Sequence, residues 1–136
     1  MTKDDHISPE SQVADAISAT VRDYYEGWFE ADPQRMRRAL HPDLVKRSLA
    51  DTTGAINTAT LTDMVEATGQ GAGTRHAPDR RSISISINHV HDAIADVHVT
   101  GEVYVDYLQL VRVDGQWQIL NALWAPAVAH TPDAGA

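Results

Sequence analysis

The chain has 136 residues, 43% of them hydrophobic, a formal net charge of -8 and no cysteine. That is enough apolar material for one domain with a substantial core, and too much for a disordered chain. The missing cysteines exclude disulfides and thiolate chemistry, and the acidic balance repels phosphate backbones, so nucleic acid is not an expected partner.

No apolar run approaches the ~18 residues of a membrane span. The start, Met-Thr-Lys-Asp-Asp-His, lacks the charged-then-apolar layout of a secretion signal, so a cytoplasmic location is expected. Residues 1–7 and 128–136 read as flexible tails flanking a single domain over 8–127. Ser8-Pro9-Glu10 signals a helix start, with a capping hydroxyl, a proline where no amide bond is lost and an acid in the first turn. Val13, Ile17, Val21, Tyr24 and Trp28 then recur every three or four residues, which predicts an amphipathic helix to about Ala31. Asp32-Pro33 repeats the signal and opens a shorter helix with Met36 and Leu40 inward, expected to stop at His41-Pro42. Leu44 to Leu49 predicts a small strand or hairpin, with Asp51-Thr-Thr-Gly54 as its turn. Thr60 and Asp63 form a capping-box pair for a third helix ending at Gly69. Residues 69–79 read as a mobile flap.

The remainder reads as an antiparallel meander. Ser82 to Ile87 alternates strictly, Ala95, Val97 and Val99 alternate more weakly, and Asp114-Gly115 marks a tight hairpin before a last strand over Trp117 to Ala125. Between these lies Val103 to Val113, apolar on both faces except for Asp106 in its middle. A strand covered on both sides takes that carboxylate out of bulk water and obliges it to find partners. We therefore expect Asp106 to form the floor of a pocket.

This order of elements, with Tyr24-Tyr25-Glu26-Gly27-Trp28, Ala31-Asp32, His41-Pro42-Asp43-Leu44, Asp106-Tyr107-Leu108-Gln109-Leu110, Asp114-Gly115-Gln116-Trp117-Gln118-Ile119 and Asn121, resembles the nuclear transport factor 2-like superfamily over about residues 9–125. Within it the chain looks most similar to the group called putative lumazine-binding, a label that by itself implies no ligand. The resemblance implies an α+β cone, three helices packed in a strongly curved antiparallel sheet. It also implies an apolar pocket at the open end and homodimerisation through the outer sheet face. Ketosteroid isomerase, scytalone dehydratase, limonene epoxide hydrolase and SnoaL-like polyketide cyclases share this fold with proteins that only bind, so the fold leaves the function open.

By that resemblance Tyr24 matches the hydroxyl donor of ketosteroid isomerase and Asp106 its protonated acid, two donors for one substrate oxygen. The isomerase's general base falls on Ser48, which cannot abstract a proton unaided. His41 is the first choice as base and an ionised Asp106 the second. Trp28, Arg47, Ser48, Tyr104, Leu108, Leu110, Asn121 and Trp124 are expected to contact substrate. Each has a plainer reading: Tyr24 and Trp28 as core packing, His41 as a helix-end residue, and Asp106 as a structural acid satisfied by tyrosines, Asn121 or Arg47. His89, His91 and His98 could share a face as a metal site, but only Asp96 stands by as a carboxylate, and no metal is expected. The expected function is a cofactor-independent lyase, isomerase or cyclase acting on a small apolar or polyketide-like molecule. The alternative is a non-catalytic ligand-binding or dimeric interaction domain.

Overall fold

The computed structural model describes residues 8–49 and 54–127. Both expected tails, and all of the Asp51 turn except Gly54, lie outside the described residues. Three helices open the chain: α1 (Pro9–Phe29), α2 (Pro33–Ala39) and α3 (Leu61–Gly69). Each begins where its local chemistry predicts. The Ser8 hydroxyl accepts the Ser11 amide at 3.1 Å, and the Asp32 carboxylate accepts the Arg35 amide at 3.2 Å. Thr60 and Asp63 cap each other reciprocally, at 2.9 and 3.3 Å. A cap of this kind contributes about 1 kcal/mol by satisfying amides that have no partner within the helix.

Six strands follow or interleave: β1 (Leu40–Leu49), β2 (Ile56–Ala59), β3 (Ile83–His91), β4 (Ile94–Gly101), β5 (Tyr104–Val113) and β6 (Gln116–Pro126). They form one curved, unclosed sheet in the order β2-β1-β6-β5-β4-β3. All neighbours are antiparallel except β1 and β6, which run parallel. The hairpin at Asp114-Gly115 forms as its sequence predicts. Both residues take positive φ, 52° and 77°, the geometry that matches the twist of a two-residue β-turn.

One boundary differs from expectation. His41-Pro42 does not stop a helix in a loop. Helix α2 ends at Ala39 and the chain passes directly into β1. The strand tolerates Pro42 because β2 pairs only with Lys46 to Leu49, which leaves that earlier stretch with one free edge. The β1–β6 register also shifts between Leu40 and Val45.

The helices lie on the concave side of the sheet. Alternation on β4 and β5 turns Val97, Val99, Leu108 and Leu110 inward against Ile17 and Val21 of α1, all at most 1% exposed. Burying side chains of this size contributes about 1.5–3 kcal/mol each. The Thr20 hydroxyl adds a directional tie, donating to the Trp117 carbonyl at 2.9 Å. Among the described residues, no helix is long and apolar enough to cross a membrane.

Candidate active site

Helix α1 lies inside the curve of the sheet, so its buried arc is wide enough to include adjacent residues as well as those one turn apart. Tyr24, Tyr25 and Trp28 all turn inward, where they meet Lys46 of β1 and Tyr104 and Asp106 of β5. These six side chains enclose about 10 Å³, room for about one water molecule.

Asp106 is 2% exposed. Its Oδ2 accepts a short hydrogen bond from the Tyr25 hydroxyl. Its Oδ1 is buried and accepts none from any described group. Burial pushes the carboxyl pKa up, against the opposing pull of Lys46 and the Tyr25 hydroxyl. Lys46 Nζ donates to the Tyr24 hydroxyl at 2.5 Å. It sits among three aromatic rings, 5.0 Å from the centroid of Tyr24, 5.2 Å from Trp124 and 5.8 Å from Trp28. No described carboxylate closes an ion pair with it. Burial pushes the ammonium pKa down, only partly offset by Asp106. The two shifts run in the same sense, each weakening the charged form of its group. Burial first, and the Asp106 charge second, raise both tyrosine pKa values, so Tyr24 and Tyr25 keep their protons.

Tyr104 joins this cluster to the loop after α3. Its hydroxyl accepts from Trp28 Nε1 at 2.9 Å and lies 3.1 Å from His76 Nε2. Its ring meets Trp124 edge-on at 5.5 Å. Burial lowers the His76 pKa, helped by Arg75, Arg81 and Arg80, which favours a neutral imidazole. The segment expected as a mobile flap is tied to its surroundings through Arg81. Arg81 donates to the carbonyls of His76 and Thr74 at 2.8 and 3.0 Å. Gly73 lies so close to Trp28 that a Cβ there would fall 2.4 to 2.6 Å from its atoms. On the other side of Tyr25, a groove of about 250 Å³ runs between α1 and the start of β3, bordered by Arg22, Glu26, Phe29 and Arg81.

Of the residues singled out from sequence, Tyr24, Trp28, Tyr104 and Asp106 meet at the void, and Trp124 packs on two of its walls. Ser48 faces inward on β1, 4% exposed, two residues beyond Lys46. Leu108 and Leu110 are at most 1% exposed and belong to the packed core rather than to a cavity wall. Three residues point elsewhere. Strand alternation that turns Lys46 inward turns Arg47 outward, level with Leu123 and Thr58. Asn121 is on the same outer face and donates to Gln109 at 3.0 Å. His41 bends back to its own strand, its Nδ1 accepting the Asp43 amide at 3.0 Å, so it offers no base to the void. His89 pairs across the sheet with Asp96, His91 is exposed, and the His98 ring packs tilted against Tyr107, with centroids 4.4 Å apart. Among the described residues, no three metal-ligating side chains converge.

The sequence reading missed Lys46, Tyr25 as the direct partner of Asp106, and His76. Only the first left a clear signal. The chain has nine arginines but two lysines, Lys3 and Lys46. A lysine within a strand of a protein rich in arginine differs from its neighbours in that its charge can be shifted by burial.

A family model described as "Putative lumazine-binding" matches residues 12–125. Among solved structures, a nuclear transport factor 2-like protein of unknown function from Silicibacter pomeroyi superposes with a TM-score of 0.74 at 18% identity, covering 88% of this chain and 99% of that one. A "Putative Scytalone Dehydratase" from Novosphingobium aromaticivorans gives 0.63 at 15%, over 90% and 91%. A "putative ketosteroid isomerase" from Shewanella frigidimarina gives 0.54 at 16%, over 81% and 94%. At such identities the likeness speaks to the fold alone. Comparison with curated proteins finds no match.

Proposed function

Since the chain belongs to the putative lumazine-binding family of the nuclear transport factor 2-like superfamily, we propose that it is a small-molecule pocket protein performing cofactor-independent acid/base chemistry on an apolar, oxygen-bearing substrate. The observation that carries this is Asp106 Oδ1, a buried carboxyl oxygen with no hydrogen-bond partner, at the wall of a void shared with a lysine and three tyrosines. A buried carboxyl oxygen that no protein group satisfies, facing a space for about one water, is open to a polar atom of a ligand.

In this reading the protonated Asp106, steadied by Tyr25, donates to a substrate carbonyl or hydroxyl oxygen and stabilises the charge that develops there. Tyr24 supplies a second hydroxyl. The base is Lys46, the neighbour whose pKa is pulled toward neutrality by burial, because Ser48 lacks the basicity and His41 faces away. The similar structures named "Putative Scytalone Dehydratase" and "putative ketosteroid isomerase" support a lyase or isomerase as the reaction class to test first. The outer sheet face, where Tyr107 and Leu123 are 51% and 54% exposed side by side, would seat a second copy of the chain.

Ligand binding without turnover is the second reading, favoured by Ser48 standing where the isomerase has its base; either reading needs the 10 Å³ void to open. Thermal-shift measurements against a panel of cyclic ketones, enones and phenols test the site. Compounds that raise the melting temperature of the wild type should lose that effect with Asp106→Asn. Equal shifts in both proteins would remove Asp106 from the site. Turnover of any compound in the panel separates catalysis from binding.

A further inference from the structure

We infer that Lys46 is a nucleophile that captures a short aldehyde or ketone as an imine, with Asp106 as the proton donor that expels water. The inference rests on the acid/base reading above, since Asp106 supplies the proton, and it goes further by naming the substrate class and a covalent step. Three geometric observations carry it. Lys46 Nζ is held by one hydrogen bond, to Tyr24, with no described carboxylate within ion-pair distance, so nothing on its own side of the void compels a charge. Its other neighbours are the faces of Tyr24, Trp28 and Trp124, whose attraction for an ammonium, about 2 kcal/mol when desolvated, offsets only part of the several kcal/mol of hydration lost on burial. The void beside it also presents Asp106, so an electrophile that widens this one-water space as it enters meets the amine and an acid together.

The direction of the Lys46 pKa agrees with this geometry, because an amine is nucleophilic only when unprotonated. The step balances without further reagents. The Nζ lone pair forms a C–N bond to the carbonyl carbon, and a proton passes from nitrogen to oxygen to give the carbinolamine. Asp106 then protonates that hydroxyl, the C–O bond breaks, water leaves, and the nitrogen lone pair completes the C=N bond. An iminium and the Asp106 carboxylate remain as counter-ions, held in a site that stabilises each through the other. The iminium withdraws electrons from the adjacent carbon more strongly than the parent carbonyl, which makes proton removal or bond cleavage at that carbon easier.

The chain carries its own control, because its only other lysine is Lys3. Folded protein is incubated with acetaldehyde or acetone and sodium cyanoborohydride, which reduces iminium ions to stable amines, and each lysine's modification is followed by peptide mass spectrometry. The expected result is a several-fold excess of modification at Lys46 over Lys3, extending to lower pH than at Lys3, and abolished when the chain is first unfolded in urea. In a folded Asp106→Asn variant, labelling at Lys46 should slow while Lys3 is unchanged. Lys46 left unmodified, or modified no faster than Lys3, overturns the inference. Because the comparison is internal to the wild-type chain, it stands even if the variant fails to fold. If Lys46 stays unmodified while ligand-induced thermal shifts still depend on Asp106, the imine falls and the acid/base site survives.

Discussion

Two aspartates 83 positions apart show how position in the fold, rather than residue type, decides what a carboxylate becomes. Asp23, on the outer side of α1, is gripped by both side-chain arms of Arg38 at 2.9 Å and by Arg35 at 3.0 Å. Its hydrogen bonds to Arg38, above all, hold its pKa below the usual carboxylate value. Asp106, on the inner side of the sheet, has one tyrosine as its direct partner, and burial drives its pKa the other way. The first clamps α2 onto α1 with charges that stay in contact with water. The second is an acid kept near an amine without being allowed to pair with it. Only the second arrangement is costly to maintain, and that asymmetry is the reason to look for chemistry there.

The comparison breaks most visibly on removal of the inner carboxylate. Asp106→Ala strands the buried Tyr25 hydroxyl and should lower unfolding stability by about 1–3 kcal/mol in urea titrations, while Asp106→Asn, which keeps an acceptor, should lose less. A gain in stability on Asp106→Ala would mean that burying the acid costs more than its hydrogen bond returns. The pH dependence sharpens the contrast. A raised pKa means the folded state holds the Asp106 proton more tightly than the unfolded chain does. Its contribution therefore declines as pH rises from about 3.8 through the folded pKa, and levels off above it. The lowered pKa of Asp23 works in reverse: its stabilisation is present above 3.8 and is lost as pH falls through the folded value. The difference between wild type and Asp106→Asn should thus vary with pH above that point, and the difference between wild type and Asp23→Asn should vary below it, shrinking as pH falls. The smallest effect is expected from Asp23→Asn at neutral pH. Solvent screening limits it to about 0.5–1 kcal/mol, and added salt should shrink the difference from wild type.

What could be read in advance was whatever the chain encodes locally. The caps at Ser8, Asp32 and Thr60, the Asp114-Gly115 turn and the inward parity of Asp106 depend on residues a few positions apart, and all appear where expected. The β1 region was misjudged because nothing in Ala39-Leu40-His41-Pro42 announces a direct helix-to-strand passage, and because β1 pairs with a strand more than seventy residues later. A register shift early in β1 also hides its parity, and an error of one position exchanges Lys46 for Arg47 as the inward cation. His76 was beyond reach for another reason. It arrives on an irregular loop whose course is set by Arg81 and by packing on Trp28, not by any periodic pattern.

Gly73 has a meaning that goes beyond fit. Its α-carbon rests where a methyl group would collide with the Trp28 backbone and indole, so the loop reaches its seat only because one position carries no side chain. A single added carbon at residue 73 would act as a wedge against Trp28, one wall of the chamber. The seating of a whole loop thus rests on the smallest residue in the sequence.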